Sequence, residues 1–537
     1  MQGRTTSGRV NAVSRDEWVW VALWSAALLF VTSIPYLLGC AISTPEQRFS
    51  GFVYNIQDIN TYINNIRQGM RGEWLYHIFY TTEPHQGALL FPFHLALGHL
   101  ARQLNVTPEW IYHLARLACG GFVLAVAYRF VAAFTRRPAM RKLAFLLIAW
   151  SGGLGWLITL TGGGEWLGFF QPLDLILPEG FTFLSIYALP HLALAQALLL
   201  LFLLDAIKAI QTTRMVPTWR AGLIGLAITL LVPFYALVLW TIMWVYGIIV
   251  IIKQRRCAWR IISTMFIISV LPLPVVLYTV WLFTTDPIYA AWMAQNQAFS
   301  PHPLHYAAAY GPVALPALIG LIRTVKRRRG SWLFLLGWVC IVPVLVYLPF
   351  VSQRRFVVGV QVPLCILAAE GIIAIARRLK SSLRRGALTL TVVAMSLTPL
   401  LLIAGSSLLV LARPEPIFHA QDELDALYWL SQNTLPQESV LCTYDTGNYI
   451  PAQAGNRVFL GRGPETVRAD EKRALVARFF DAQIGDEWRR SLLREYGIAY
   501  VLIGPRERAL GAFDPASAPY LWLVYENESY VIYQFIQ

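Results

Sequence analysis

Residues 18–69 read WVWVALWSAALLFVTSIPYLLGCAISTPEQRFSGFVYNIQDINTYINNIRQG. The first part, 18–38, is apolar and carries no charged residue. A helix needs about 20 such residues to cross the hydrocarbon of a bilayer, so this run is a first membrane span or signal anchor. The chain then changes character within a few residues. Glu46, Gln47 and Arg48 come first. A polar, aromatic segment follows, in which Asp58 stands among Tyr54, Asn55, Asn60, Tyr62, Asn64 and Asn65. One span followed by a long segment with its own polar helix sets the frame for the rest of the chain.

Further apolar runs lie at 109–135, 142–160, 183–207, 219–233, 235–252, 260–283, 306–323, 331–350, 356–376 and 386–411. The fold expected is an all-α polytopic membrane protein of about 11 transmembrane helices with a C-terminal soluble α/β domain. Composition agrees. Hydrophobic residues make up 56% of the 537 and charged residues 14%, with mean hydropathy +0.52. A soluble domain keeps about 25% of its residues charged, so lipid is the solvent for most of this chain. The 19 Trp and 24 Tyr suit the membrane–water boundary. Six scattered Cys show neither a disulfide framework nor metal-ligand spacing and read as small apolar residues.

The net charge of +14 splits unevenly. Residues 1–414 carry an excess of 20 positive charges and residues 415–537 an excess of 6 negative ones. The basic residues gather in short loops: Arg136, Arg137, Arg141 and Lys142; Lys208, Arg214 and Arg220; Lys253, Arg255 and Arg256; Lys326 to Arg329; Arg377 to Arg385. With a cytoplasmic N-terminus every one of these loops is cytoplasmic, as the positive-inside rule requires. Short loops of this kind do not make a groove that follows a phosphate backbone, so no nucleic-acid partner is expected. The run 88–104, with Pro92, His94 and His99, is left out of the span count. Including it would invert the Arg136–Lys142 cluster, so it reads as an outer or re-entrant amphipathic helix.

The organisation expected is a cytoplasmic N-terminus at 1–17, a membrane domain at 18–414 with an outer segment at 39–108, and an extracytoplasmic α/β domain at 415–537. The chain would be a multi-pass protein of the cell membrane. The last domain shows a surface helix at 421–432, strands near 439–443, 457–460, 498–503, 521–525 and 529–535, and helical texture over 468–495. It holds no clustered carboxylate, His and Cys set. It is expected to fold alone and to cover a cavity or recruit an acceptor.

Acids and histidines collect on the outer side, and several stand out. Asp58 either accepts a proton from an acceptor hydroxyl or caps a helix starting near Ile59. Glu83, before Pro84 and His85, marks a held turn; it reads as an acceptor ligand, a second base, a metal ligand with His85, or an exposed loop acid. Asp174, Glu179 and His191 lie in and after the outer loop before the fourth span, where they line a cavity or bridge helices. Arg354 and Arg355 break the inner-side bias of the other basic clusters. Their forks suit phosphate oxygens, while interfacial snorkelling is the plainer reading. The glycines of 151–155 and 161–164 lack the strand–turn–helix setting of a nucleotide loop.

With one early span, an outer segment bearing Asp58, amphipathic helices, many further spans and a soluble C-terminal domain, the chain resembles the membrane glycosyltransferases of the C-type fold. The likeness is strongest to bacterial proteins related to protein O-mannosyltransferases and aminoarabinose transferases. The resemblance implies sugar transfer from a polyprenyl-phosphate donor with inversion, Asp58 as catalytic base, and an acceptor that is a glycan, lipid or protein among the membrane lipids. Many relatives place two adjacent acids where this chain has Gln57-Asp58, and some use a divalent metal. Arg354 and Arg355 would stabilise the departing phosphate. The alternative is a transporter or flippase of a lipid-linked or anionic substrate, although no paired halves are visible.

Overall fold

The computed structural model describes residues 12–163, 171–254, 258–326 and 332–536. The basic residues Arg255, Arg256 and Arg327 to Arg329 lie outside these, as does Gly164. Among the described residues, seven helices are long and apolar enough to cross a membrane: Arg15–Ala41, Pro108–Phe134, Pro138–Leu160, Pro190–Thr212, Tyr235–Lys253, Pro303–Val325 and Gln353–Ala376. Two pairs bent by 48° and 50°, Ala258–Val270 with Leu273–Thr285 and Ser381–Met395 with Leu397–Ala412, raise the number to nine if each is one span.

Among the described residues the count of eleven is therefore not confirmed. The difference lies at two shorter apolar helices, Met215–Leu231 of 17 residues and Trp332–Leu345, of which 14 residues are described. The first stops at Val232 and Pro233, before the next helix begins at Tyr235. Proline lacks the amide that would continue the helix ladder. The run 88–104 is the 13-residue helix Pro92–Leu104, too short to span.

The chain divides into two compact units, one made of residues 1–34, 114–279 and 298–405, the other of 35–113, 280–297 and 406–537. In the first unit, two buried glutamates meet arginines. Arg141 lies 3.1 Å from Glu17, which also accepts a hydrogen bond from the Tyr128 hydroxyl at 2.6 Å. Arg137 and Arg323 approach Glu370 at 3.9 and 4.0 Å. These residues come from loops and helix ends that the charge rule puts on one face, so that grouping holds within the unit.

In the second unit a short antiparallel pair joins β1 (Gln47–Phe49) to β2 (Phe418–Ala420), with Arg48 opposite His419. A five-stranded mixed sheet is built from β3 (Ser439–Leu441), β4 (Arg457–Val458), β5 (Ile498–Ile503), β6 (Leu521–Glu526) and β7 (Val531–Phe535). Its order is β4-β3-β5-β7-β6, parallel at β4, β3 and β5 and antiparallel at β7 and β6. Leu441, Phe459, Phe479, Phe480, Leu493 and Val501 form its core. The helix Ile56–Met70 buries Ile59, Ile63 and Ile66, which the helical period puts on one face. It packs against both Pro92–Leu104 and the helix Tyr444–Gln453 of the C-terminal stretch.

Candidate functional site

The outer helix starts at Ile56, three residues earlier than the sequence suggests, so Asp58 lies in its first turn and is not its cap. The cap position is Asn55, left-handed with φ 51°, a conformation asparagine tolerates better than most residues. The Asn55 amide donates to Asp58 Oδ2 at 2.7 Å. The other carboxylate oxygen meets a guanidinium: Arg462 Nε and Nη2 lie 3.1 and 2.5 Å from Asp58 Oδ1.

Arg462 belongs to the loop Gly461-Arg462-Gly463-Pro464-Glu465-Thr466 that follows β4. Its third nitrogen, Nη1, is 2.5 Å from Glu465 Oε1, and Glu465 Oε2 accepts from the buried Tyr76 hydroxyl at 2.8 Å. Burial works against the charge on Arg462, but Asp58 and Glu465 outweigh it and hold the guanidinium protonated well beyond the usual range. Glu465 goes the other way. Burial pushes its carboxyl up, the charge of Asp58 adds to this, and Arg462 only partly opposes it. The loop is itself fixed: Gly463 N donates to the Tyr444 hydroxyl, and the Thr466 hydroxyl donates to Tyr80 O at 2.8 Å.

Glu83 and His85 sit at the tip of a loop closed by the bridge between Tyr76 and Ala88. Glu83 accepts from Lys472 Nζ at 2.7 Å and from the Thr81 hydroxyl. Burial alone raises its carboxyl, but the Lys472 charge and these hydrogen bonds prevail and hold it below the usual range. His85 Nε2 accepts the Ile78 amide at 2.9 Å, so Nδ1 carries the proton and donates to Glu83 O at 2.9 Å. Both ring nitrogens are thus engaged by backbone. Among the described residues no three His, Cys, Asp or Glu side chains gather to hold a metal ion. The acids face the chain's own cations, Asp58 with Arg462 and Glu83 with Lys472.

In the first unit, Asp174 Oδ2 accepts from the amides of Gly153 and Gly155 at 2.7 and 3.0 Å and from the Thr398 hydroxyl at 2.8 Å. It ties off the turn between the helices Pro138–Trp150 and Gly155–Leu160. Gly153 also borders a mostly apolar cavity of about 400 Å³ with Trp156, Pro312, Leu390 and Met395. Glu179 Oε1 is 3.7 Å from Arg355 Nε, and Glu179 O accepts the Gly359 amide. Arg354 and Arg355 lie in a short 3-10 turn, Gln353–Val357, held by Arg354 N donating to Ala298 O. His191 is buried at the start of Pro190–Thr212.

No known family model matches the chain, and no curated protein is similar to it in sequence. Solved structures do match. ArnT from Cupriavidus metallidurans bound to undecaprenyl phosphate superposes with a TM-score of 0.53 at 12% identity, over 97% of this chain and 98% of that one. The fold runs the full length of both. The chain has the C-type fold of the membrane glycosyltransferases. The archaeal oligosaccharyltransferase AglB from Archaeoglobus fulgidus, in complex with an inhibitory peptide and a dolichol-phosphate, gives 0.48 at 14% identity, over 90% of this chain and 69% of that one. The arabinofuranosyltransferase AftD from Mycobacteria gives 0.49 at 16% identity, over 98% of this chain and 40% of that one.

Within this C-type chain, the second unit holds Asp58, Glu83 and His85, each linked to the C-terminal stretch or to its own loop backbone. The first unit holds Asp174, Glu179, His191, Arg354 and Arg355 and brings Glu179 to Arg355. Sequence reasoning missed Arg462, Glu465 and Lys472. An arginine set between two glycines and followed by Pro464 and Glu465 marks a shaped, charged turn, and that was the available signal.

Proposed function

We propose that this chain transfers a sugar from a polyprenyl-phosphate-linked donor to an acceptor at the outer face of the membrane, with inversion. The acceptor oxygen attacks the anomeric carbon. Its proton passes to Asp58, the bond from that carbon to the phosphate oxygen breaks, and the electron pair leaves with the lipid phosphate. Arg354 and Arg355, both in the first unit, have forks suited to binding such a phosphate. The carrying observation is a carboxylate, Asp58, at the start of the outer helix in a chain whose whole length shares the C-type fold. Fold alone does not assign activity, so the weight falls on the site. The undecaprenyl phosphate bound by ArnT supports a carrier of that class here, and the apolar cavity beside Gly153 suits a lipid chain.

The test is transfer of labelled sugar from purified polyprenyl-phosphate donors to membrane acceptors, comparing the wild type with Asp58→Asn. The amide keeps the shape and removes the base. General base assistance is worth roughly 10²–10⁴, so a loss of at least about tenfold is expected. Equal turnover by the two proteins removes Asp58 from the role. Absence of transfer with any donor, together with substrate flux across vesicles, points to a carrier.

A further inference from the structure

Asp58 is the exposed end of a buried chain of charges. Its side chain is 31% exposed, while that of Arg462 is 12% exposed and that of Glu465 fully buried. The cation therefore lies beneath the carboxylate, and a second carboxylate lies beneath the cation. Two acids share one guanidinium, with the Tyr76 hydroxyl closing the far end. A pair built only for stability gains little from this, because burying charge costs more than an apolar contact of the same size. The arrangement does do one thing well. It divides the field of one arginine between two carboxylates, one partly exposed and one fully buried.

We propose that Arg462, backed by Glu465, is a positioning residue for Asp58, so that the loop 461–466 sets both the aim and the proton affinity of that carboxylate. This rests on the reading of Asp58 as the base. The groups of the unit that face this cluster include Tyr62 on the same helix, the buried Tyr76 and Tyr80 on the Glu465 side, and Tyr444, which donates to Gln57 Oε1 at 3.4 Å under the guanidinium of Arg473. The fork geometry also matters. Arg462 reaches Asp58 Oδ1 through Nε and Nη2 at once, which lysine cannot reproduce.

The sign of each change follows. Without the arginine, Asp58 loses the cation that favours its charge and binds its proton more tightly, while the buried Glu465 is left without its cation and takes up a proton of its own. Without the Glu465 charge, Arg462 acts on Asp58 alone and the proton is held less tightly. In the pH profile of kcat/KM for sugar transfer, the acid limb should move up in Arg462→Gln and down in Glu465→Gln, by about one unit or more. Arg462→Lys should keep the limb near its wild-type place while kcat falls. A merely structural role lowers activity in all three and moves no limb, and that result overturns the inference while leaving sugar transfer intact. If the wild type transfers no sugar, the proposed function fails first. The ion network is then read from unfolding of Asp58→Asn, Arg462→Gln and the double variant. Additive losses overturn it; a clear coupling shows that Arg462 holds Asp58.

Discussion

Lys472 Nζ lies 2.7 Å from Glu83 Oε2, with the lysine side chain 1% exposed and its ammonium over the rings of Phe459 and Tyr496, 4.9 and 5.5 Å from their centroids. The pair joins the outer loop 76–88 to the helix Ala469–Phe480. Burial pulls the lysine below its ordinary value even against the Glu83 charge. Removing one partner of such a pair strands the other. Glu83→Gln should destabilise the unit toward the lower end of the usual range of about 3–5 kcal/mol, since Glu83 is partly exposed. Lys472→Met should cost less, because Glu83 reaches water and the methionine keeps the apolar stem. Denaturant unfolding of the three proteins checks the order, and equal stability of all three refutes it.

The same pair carries a pH dependence. The folded-state value of Glu83 is depressed, so its contribution is fully present above its ordinary value of 4.5 and is lost as the pH falls through the lower, folded one. Lys472 is also depressed, so its burial cost shrinks as the pH rises from its folded value toward 10.5. Stability of the wild type should therefore fall on acidification below about pH 4.5 more steeply than that of Glu83→Gln. Parallel curves for the two proteins would remove Glu83 from the acid transition.

The outer helix depends on a close crossing with its neighbour. A Cβ on Gly98 would stand 2.1 Å from Ile66 O, and one on Gly69 would stand 2.1 Å from Leu95 O. Both obstacles are backbone, which cannot rotate aside. Overpacking usually costs about 1–3 kcal/mol, and here the helices must separate. Gly98→Ala should expose the outer segment to protease and lower sugar transfer through a displaced Asp58. Wild-type protease resistance in Gly98→Ala would show that the crossing has slack.

An orientation can be predicted from charge. Arg137 and Arg323 share Glu370, so those ends belong to one face, and the positive-inside rule predicts a cytoplasmic side for it. A cysteine placed at Gln432 in a cysteine-free background should react with an impermeant reagent added outside intact cells. A cysteine at Ser382 should react only after the inner face is opened. The reverse pattern would invert the topology.

Spans were legible because lipid imposes one rule on composition, a long run without charge, and all seven long helices fall on runs read from the sequence. Span ends were less legible, since a break such as that at Pro233 turns on local backbone limits. In the C-terminal stretch the helix at 421–433 and the strands at 498–503 and 521–535 were readable from periodicity. The helix Tyr444–Gln453 was not, because Gly447 and Pro451 speak against one and tertiary packing overrides them. The acids of the outer segment stood out as residues, but their partners did not. Arg462 is 404 positions from Asp58, and no local pattern encodes a pairing made by the fold.

Arg354 and Arg355 are the candidates for the donor phosphate, and their setting yields a two-signed test. Glu179 stands 3.7 Å from Arg355, near enough to draw on its charge and too far for a tight hydrogen bond. An incoming phosphate competes with that carboxylate. Replacing both arginines by alanine should weaken donor binding at least about tenfold, since one charged hydrogen bond is worth about 1.5–3 kcal/mol. Acceptor binding should change less. Glu179→Gln removes the competitor and leaves both forks in place, so donor binding should hold or tighten. A phosphate site predicts this divergence, whereas arginines that only anchor the turn to lipid headgroups predict none. Donor affinity measured on the purified protein in detergent separates the two. Unchanged affinity in the double alanine variant ends the phosphate role, and weaker binding in Glu179→Gln would mean that the carboxylate orients Arg355 instead of opposing it.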